Sequence, residues 1–350
     1  MLDFYEKYYF FTKTEDFFNK YTLNSPTIIC ACGFEQRTYR IFELLQMQNP
    51  TGDVKVLIAD LRKEASPGDP YYSKAEPIIT SNMNKMISII NSRGWWYKVC
   101  TCNFFDESQS YVAHQELCKA IDDIKVGEAK EDIILDISSM PRAMMFPVFK
   151  KLFNEHSHAN NLFVSFTEIE PLGSQESQVV SYWQPQWLPG FEPNPHKHEA
   201  ETIVWLPILG FDYRRVREIL EKFTFDEIYP VVGFPSSRPL ETDIIVKTHK
   251  ALFEVYKVPF DNIIYVPIHD PFQLALTLTD FIRDIIVSGD KTVDFVISPL
   301  GSKPQSIGAC FTALNNPNVS MLAVWPTSYN PLAAKNGESY LYWIKGDIYK

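Results

Sequence analysis

Basic residues are in deficit: 33 Lys and Arg stand against 43 Asp and Glu, a formal net charge of −10 over 350 residues. Non-specific affinity for duplex DNA or RNA comes from neutralising phosphates with cations, so a broad electrostatic grip on nucleic acid is excluded. A local basic pocket for one small anion is not. Cysteine is scarce too, and six thiols (Cys30, Cys32, Cys100, Cys102, Cys118 and Cys310) are too few for a disulfide scaffold and fit a reduced compartment. No stretch approaches the ~18 consecutive apolar residues of a spanning helix. The opening MLDFYEKYYFFTKTEDFF carries Asp3, Glu6 and Lys7 where a secretion signal needs a basic head and an uninterrupted apolar core. These absences predict a soluble cytoplasmic protein that does not engage a membrane.

Several signatures are missing as well: the G-x-x-x-x-G-K-S/T loop, the G-x-G-x-x-G fingerprint, the G-x-S-x-G elbow and the H-E-x-x-H helix. Their absence argues against a P-loop NTPase, a simple dinucleotide dehydrogenase, a serine hydrolase of the elbow type and a zincin. No cofactor is expected. What is present is ample core material, 45% hydrophobic with 14% aromatic residues, enough for a globular chain and, at ~150 residues per domain, for about two domains.

The chain reads twice. Thr27 to Cys32 (TIICAC) is a short apolar run followed by Gly33-Phe34-Glu35-Gln36-Arg37 and the helical pattern TYRIFELLQM; Thr202 to Leu206 (TIVWL) is followed by Gly210-Phe211-Asp212-Tyr213-Arg214 and RVREILEKF, 177 residues later. Strand-like VKVLIADL (54–61) matches DEIYPVV (226–232), WYKVCTC (96–102) matches NIIYVPI (262–268), and DIILDIS (132–138) matches DFVIS (294–298). Acidic helix starts follow the third strand at Asp106 and Asp270. Pro171-Leu172 with Tyr182-Trp183 recurs 160 residues on as Pro331-Leu332 with Tyr342-Trp343. Alternating strands and helices, with strands apolar on both faces, predict an α/β protein of two tandem Rossmann-like repeats, each a mostly parallel sheet with helices on both faces. The expected boundaries are a helical lead-in at 1–24, a first repeat at 25–183, a Pro-rich linker at 184–199 and a second repeat at 200–350.

In such sheets ligands collect where loops leave the carboxyl ends of the strands. After the first strands lie Gly33, Phe34, Arg37 and Thr38, and Gly210 and Arg214. After the fourth strands lie Ser138-Ser139-Met140-Pro141-Arg142 and Ser298-Pro299-Leu300-Gly301-Ser302-Lys303. A Ser-rich turn entering a helix presents hydroxyls and unpaired N–H groups at the positive end of the helix dipole, and a basic residue in the first turn adds charge; together these make an anion cradle. The same residues also serve plain helix capping, with Ser139 or Ser302 at the cap and Pro141 or Pro304 in the first turn. Arg142 and Lys303 weigh against capping alone, since a cation in the first turn opposes the dipole unless an anion sits there.

At these residues the chain resembles the CRISPR-associated Rossmann fold (CARF) family, whose fourth-strand turn carries Asp, a hydrophobic residue, Ser or Thr, then a Gly-rich step and a basic residue. DISSMPRAMM keeps the Asp, the Ser, the basic residue, the Ala and the Met, and PLGSKPQSIG keeps Gly-Ser-Lys-Pro. The resemblance implies a sensor of a cyclic oligonucleotide in prokaryotic antiviral defence, with Ser139, Arg142, Ser302 and Lys303 holding phosphate or ribose in a pocket built from both repeats. It also implies a separate effector protein and a homodimer as partners.

Two alternatives stand beside it. One is an enzyme that cleaves a nucleotide or a cyclic oligonucleotide, with Glu35, Asp212 or Asp136 in acid/base work and Arg37 or Arg214 countering charge; a carboxylate two residues before an arginine is equally a structural ion pair. The other is a scaffold subunit with degenerate pockets. The C-x-C pairs at Cys30/Cys32 and Cys100/Cys102 lack zinc-loop spacing, so no metal is expected. His196 and His198 read as solvated linker residues, and Phe34, Tyr39, Phe211, Tyr213 and Phe234 as core or as stacking partners for a base.

Overall fold

A computed structural model describes residues 11–62, 72–103, 111–127, 130–155, 161–171, 179–182, 184–194, 200–289, 292–329 and 334–346. The chain divides into two compact units, Met1–Ser181 together with Ser328–Lys350, and Tyr182–Thr327. In the first, β1 (Phe11–Lys13) and α1 (Thr14–Phe18) precede β2 (Thr27–Cys32), α2 (Arg40–Gln46), β3 (Lys55–Asp60), α3 (Tyr72–Ser92), β4 (Trp96–Thr101), α4 (His114–Asp123), β5 (Ile133–Asp136), α5 (Arg142–Glu155) and β6 (Leu162–Pro171). All six residues of β2 are buried, as a strand covered by helices on both faces must be. The strands pair in parallel in the order β6-β5-β2-β3-β4.

β7 (Val179–Tyr182) reaches the boundary, and the second unit then holds β8 (Gln186–Trp187), β9 (Thr202–Ile208), α6 (Tyr213–Leu220), β10 (Glu227–Ile228), β11 (Val231–Gly233), α7 (Glu241–Thr248), α8 (Lys250–Glu254), β12 (Ile264–Val266), α9 (Pro271–Ser288), β13 (Val293–Pro299), α10 (Lys303–Asn315) and β14 (Val319–Ala323). Here the parallel order is β12-β11-β9-β13-β14. Taken from its own first strand, each unit therefore has the order 5-4-1-2-3, one topology used twice. The run DEIYPVV is split between β10 and β11 at Pro230, which has no N–H to give to the ladder.

Two expected boundaries are corrected. The last strand, β16 (Ala334–Lys345), follows β15 (Pro326–Tyr329) and does not complete the second repeat. It runs antiparallel to β6, with Tyr342 opposite Val164 and Trp343 opposite Phe163, and carries β1 on its other side. Aromatic burial explains the choice: Trp343 lies 5.1 Å from the ring of Phe163 and 6.1 Å from that of Phe17, in a cluster that Tyr21 completes. The lead-in helix α1 thus covers this end of the core with Phe17 and Phe18. The supposed linker is also partly structure. Gln186 and Trp187 pair antiparallel with β14, and Leu188 is fully buried. Residues 1–10, Asp106, Leu172, Trp183, His196, His198, Pro331 and Leu332 lie outside the described residues.

Candidate functional site

Each unit reverses its strand order beside its first strand, between β2 and β5 and between β9 and β13. The carboxyl ends of the strands beside such a reversal are the general ligand position in open α/β sheets. The four loops singled out from sequence are the loops at these two reversals.

In the first unit, strand β2 ends in a tightly tied turn. The Gly33 N–H donates to Thr38 Oγ1 at 2.8 Å, Thr38 Oγ1 donates to the Ala31 carbonyl at 3.3 Å, and Asn82 of α3 donates to the carbonyls of Gly33 and Glu35 at 2.9 and 3.4 Å. Arg37 folds back on Glu35, Nε at 2.8 Å and Nη2 at 2.7 Å, while Nη1 donates to the Thr167 carbonyl of β6 at 3.0 Å. The guanidinium also lies over the Phe166 ring. With side chains 9% and 11% exposed, this is a buried structural ion pair that ties the first loop to the fifth strand. Phe34 packs against the core.

Beside it, the β5 loop is held by Asp136, which accepts the Ser138 N–H at 2.6 Å, and by Ser138 Oγ, which accepts the Thr167 N–H at 2.9 Å. Asp136 and Ser138 are both buried and hold the loop rather than face outward. Ser139 differs. A Cβ on Gly33 would stand 3.3 Å from its Cβ, so the two loops touch here. Ser139 Oγ is buried and hydrogen-bonds to nothing among the described residues. Ser165, in register with Asp136 on β6, has a second such hydroxyl. Arg142 opens α5, half-buried.

The second unit packs its loops more closely. A Cβ on Gly210 would come within 2.5 Å of the Leu300 carbonyl oxygen, so only glycine allows this approach of the β9 and β13 loops. Ser302 caps α10 in a full capping box: its Oγ accepts the Gln305 N–H at 3.3 Å, Gln305 Oε1 accepts the Ser302 N–H at 2.9 Å, and Ser302 Oγ donates to the Ile268 carbonyl at 3.1 Å. Lys303 follows in the first turn, half-buried, as does Gly301 just before the cap. Ser298 faces the interior, where its Oγ accepts Trp205 Nε1–H at 2.8 Å with the residue fully buried. Asp212 caps α6 through the Arg214 N–H and accepts Arg214 Nε and Nη2 at 2.9 and 2.8 Å. Phe211, Tyr213 and Phe234 are about half exposed at this end of the sheet, whereas Tyr39 packs inward.

The same fork recurs where it was not expected. Arg62 clasps Asp60 at the end of β3, Nη2 at 2.6 Å, with the carboxylate almost wholly buried. Three acid-x-Arg sequences at strand ends thus fold the guanidinium back over their own carboxylate, a spacing visible in the sequence as Glu35-x-Arg37, Asp60-x-Arg62 and Asp212-x-Arg214. Two further histidines belong to the second unit, His249 buried and His269 half-buried. His249, 2% exposed, bonds the Ile245 carbonyl through Nδ1, and burial lowers its pKa against the pull of that bond and of Asp212. His269, after β12, sits 2.7 Å from Ser237 Oγ.

Register separates the two C-x-C pairs. Cys30 aligns with Ile58 and Val99, and Cys32 with Asp60 and Thr101, whereas Cys100 aligns with Ala59 and Ala31. Cross-strand partners share a face, so Cys100 lies on the opposite face of the sheet from Cys30 and Cys32. Burial pushes the Cys32 and Cys102 thiols up to about 12. Among the described residues no three His, Cys, Asp or Glu side chains gather to hold a metal, and no helix is long and apolar enough to cross a membrane.

No family model matches the sequence, and comparison with curated proteins finds no match. Solved structures give faint likenesses. The cytoplasmic domain of a prokaryotic cation chloride cotransporter is 8% identical, over 89% of this chain and 99% of that one, with a TM-score of 0.26. A putative universal stress protein from Pseudomonas aeruginosa UCBPP-PA14 is 11% identical over 87% and 94%, TM-score 0.25, and a universal stress protein from Archaeoglobus fulgidus DSM 4304 is 10% identical over 86% and 97%, TM-score 0.24. Scores this low carry no functional argument. The Rossmann-like α/β architecture stands on the strand order itself.

Proposed function

We propose that the protein is a ligand sensor whose strand-order reversals take an anionic nucleotide, with a cyclic oligonucleotide of antiviral signalling as the leading candidate. The observation that carries this reading is Ser139: its buried hydroxyl has no partner among the described residues, where the β2 and β5 loops meet. Buried hydroxyls are normally satisfied. A phosphate or ribose oxygen would satisfy this one beside the start of α5, with Arg142 supplying charge. Lys303 and the N-terminus of α10 form the corresponding group in the second unit. Sensing is favoured over turnover because Glu35 and Asp212 are clasped by their own arginines, which leaves neither as a ready proton acceptor.

The test is thermal shift of the purified chain against cyclic di-, tri-, tetra- and hexanucleotides and mononucleotides, with chromatography of each hit after incubation. Binding at a hundredfold excess over Kd stabilises by about 2.7 kcal/mol. A shift with intact ligand is the expected outcome. A shift with consumed ligand replaces the sensor by an enzyme, and no shift with any compound overturns the nucleotide reading.

A further inference from the structure

Ser237 and His269 are not among the loop residues described above, although Ser302 Oγ bonds the carbonyl of Ile268, the residue before His269. They lie on the connections after β11 and β12, 32 residues apart in sequence, and their side chains meet with Oγ 2.7 Å from Nε2. Glu241 opens α7 four residues beyond Ser237; its carboxylate accepts the Arg238 N–H at 3.1 Å and is 8% exposed. The serine is exposed and the imidazole half-buried, so a substrate reaches the hydroxyl while the ring is partly shielded from water.

We propose that Ser237 and His269 form a nucleophile and base pair that hydrolyses uncharged carboxylic esters by way of an acyl-serine. Burial lowers the His269 pKa and the Glu241 charge acts to raise it, so the ring is neutral at pH 7 but not stripped of basicity. With its proton on Nδ1, His269 takes the Ser237 hydroxyl proton at Nε2 as Oγ bonds to the ester carbonyl carbon. Collapse of the tetrahedral adduct breaks the bond to the alcohol oxygen, which leaves with that proton. Water then gives a proton to Nε2, attacks the acyl-serine carbonyl and releases the acid, restoring the hydroxyl. Ester and water become acid and alcohol, with no further reactant.

The surroundings select an uncharged, apolar acyl group. Phe234 and Tyr265 are exposed and meet edge to face, ring centroids 6.1 Å apart, and Leu240 is exposed three residues past the serine. The buried Glu241 carboxylate at the same place disfavours an anion. This activity rests on residues separate from Ser139, Arg142 and Lys303, so it stands or falls independently of nucleotide binding.

The experiment is labelling of the full chain with a fluorophosphonate probe, peptide mapping of the adduct, and hydrolysis of p-nitrophenyl acetate, butyrate and hexanoate. The expected result is one adduct at Ser237, absent in Ser237→Ala, slowed at least tenfold in His269→Gln, and faster ester hydrolysis with the longer acyl chains. Circular dichroism melts of each variant separate loss of chemistry from loss of fold. As a second probe, the thiol of Ser237→Cys should react with iodoacetamide at pH 7 at least tenfold faster than in the Ser237→Cys/His269→Gln double variant. A folded wild-type chain that takes no label at Ser237, or labelling and thiol reactivity that do not depend on His269, overturns the proposal.

Discussion

Replacing Arg37 by methionine removes three hydrogen bonds and leaves Glu35 as an unpaired carboxylate in a site where its side chain is only 11% exposed. Breaking a buried pair from one side costs about 3–5 kcal/mol, since the remaining charge has lost its partner and has no water to replace it. The pair is not completely shielded, which favours the lower figure, about 3 kcal/mol. For a chain unit of this size that corresponds to a fall in Tm of about 6–12 °C. The double variant Glu35→Gln/Arg37→Met removes the orphaned charge and leaves mainly the Thr167 carbonyl without its donor, about 1 kcal/mol, so most of the loss should return. Arg40→Met serves as the less buried comparison: its side chain is 29% exposed and its partners Glu15 and Glu43 are 62% and 31% exposed, and solvent-exposed bridges contribute less than about 1 kcal/mol each. Melts followed by circular dichroism would read all four proteins. An Arg37→Met variant within about 0.5 kcal/mol of wild type, or a double variant no more stable than the single, would refute the structural role given to this pair.

Gly210→Ala would press a methyl to 2.5 Å from the Leu300 carbonyl and should cost about 1–3 kcal/mol, whereas Gly33→Ala meets only the Ser139 side chain at 3.3 Å and should cost less; equal melts would refute the ranking. Stability should fall with acid. His249, His114 and His269 have pKa values lowered from 6.5, in each case first by burial, so the unfolded chain takes up protons at higher pH than the folded one. Their stabilising contribution is complete above pH 6.5 and is lost as the pH drops toward the folded values, so Tm should slope down below about pH 6.5 and less steeply in His249→Gln. Native protein at pH 8 should leave Cys32, Cys102 and Cys118 unreacted with a disulfide reagent, because burial raises the first two to about 12 and the third to about 11; fast labelling of any of the three would contradict this burial. Arg142→Ala or Lys303→Ala should each weaken nucleotide binding by about 1.5–3 kcal/mol by isothermal calorimetry, with the melt unchanged; unchanged affinity in both removes these loops from the site.

Strand cores were legible wherever burial on both faces wrote a continuous apolar run: TIICAC coincides with β2, and DIILDIS and DFVIS contain most of β5 and β13. Loops at the strand-order reversals were legible for a related reason, since glycine and a cap residue mark where a strand stops and a helix starts. What those loop residues do was not legible. The direction of a side chain at a strand end depends on which strand lies beside it. Ser138 turns to Thr167 on β6, Ser298 turns to Trp205 on β9, and Ser139, one residue after Ser138, lies against Gly33.

The misplaced C-terminus has a different cause. The recurrence of Tyr-Trp at 182–183 and 342–343 is real, but internal similarity shows that two segments are alike and says nothing of which sheet each joins. In an antiparallel pair the choice is made by the facing side chains, and Trp343 finds Phe163 and Phe17 there. Ser237 and His269 were missed on the same principle, with no local spacing to announce a contact across two loops. Periodicity and caps are local and were read from the chain, while any property set by a neighbour distant in sequence needed the sheet order first. A repeat protein sharpens the difference, because each copy offers its neighbour's partners as a false alternative to its own.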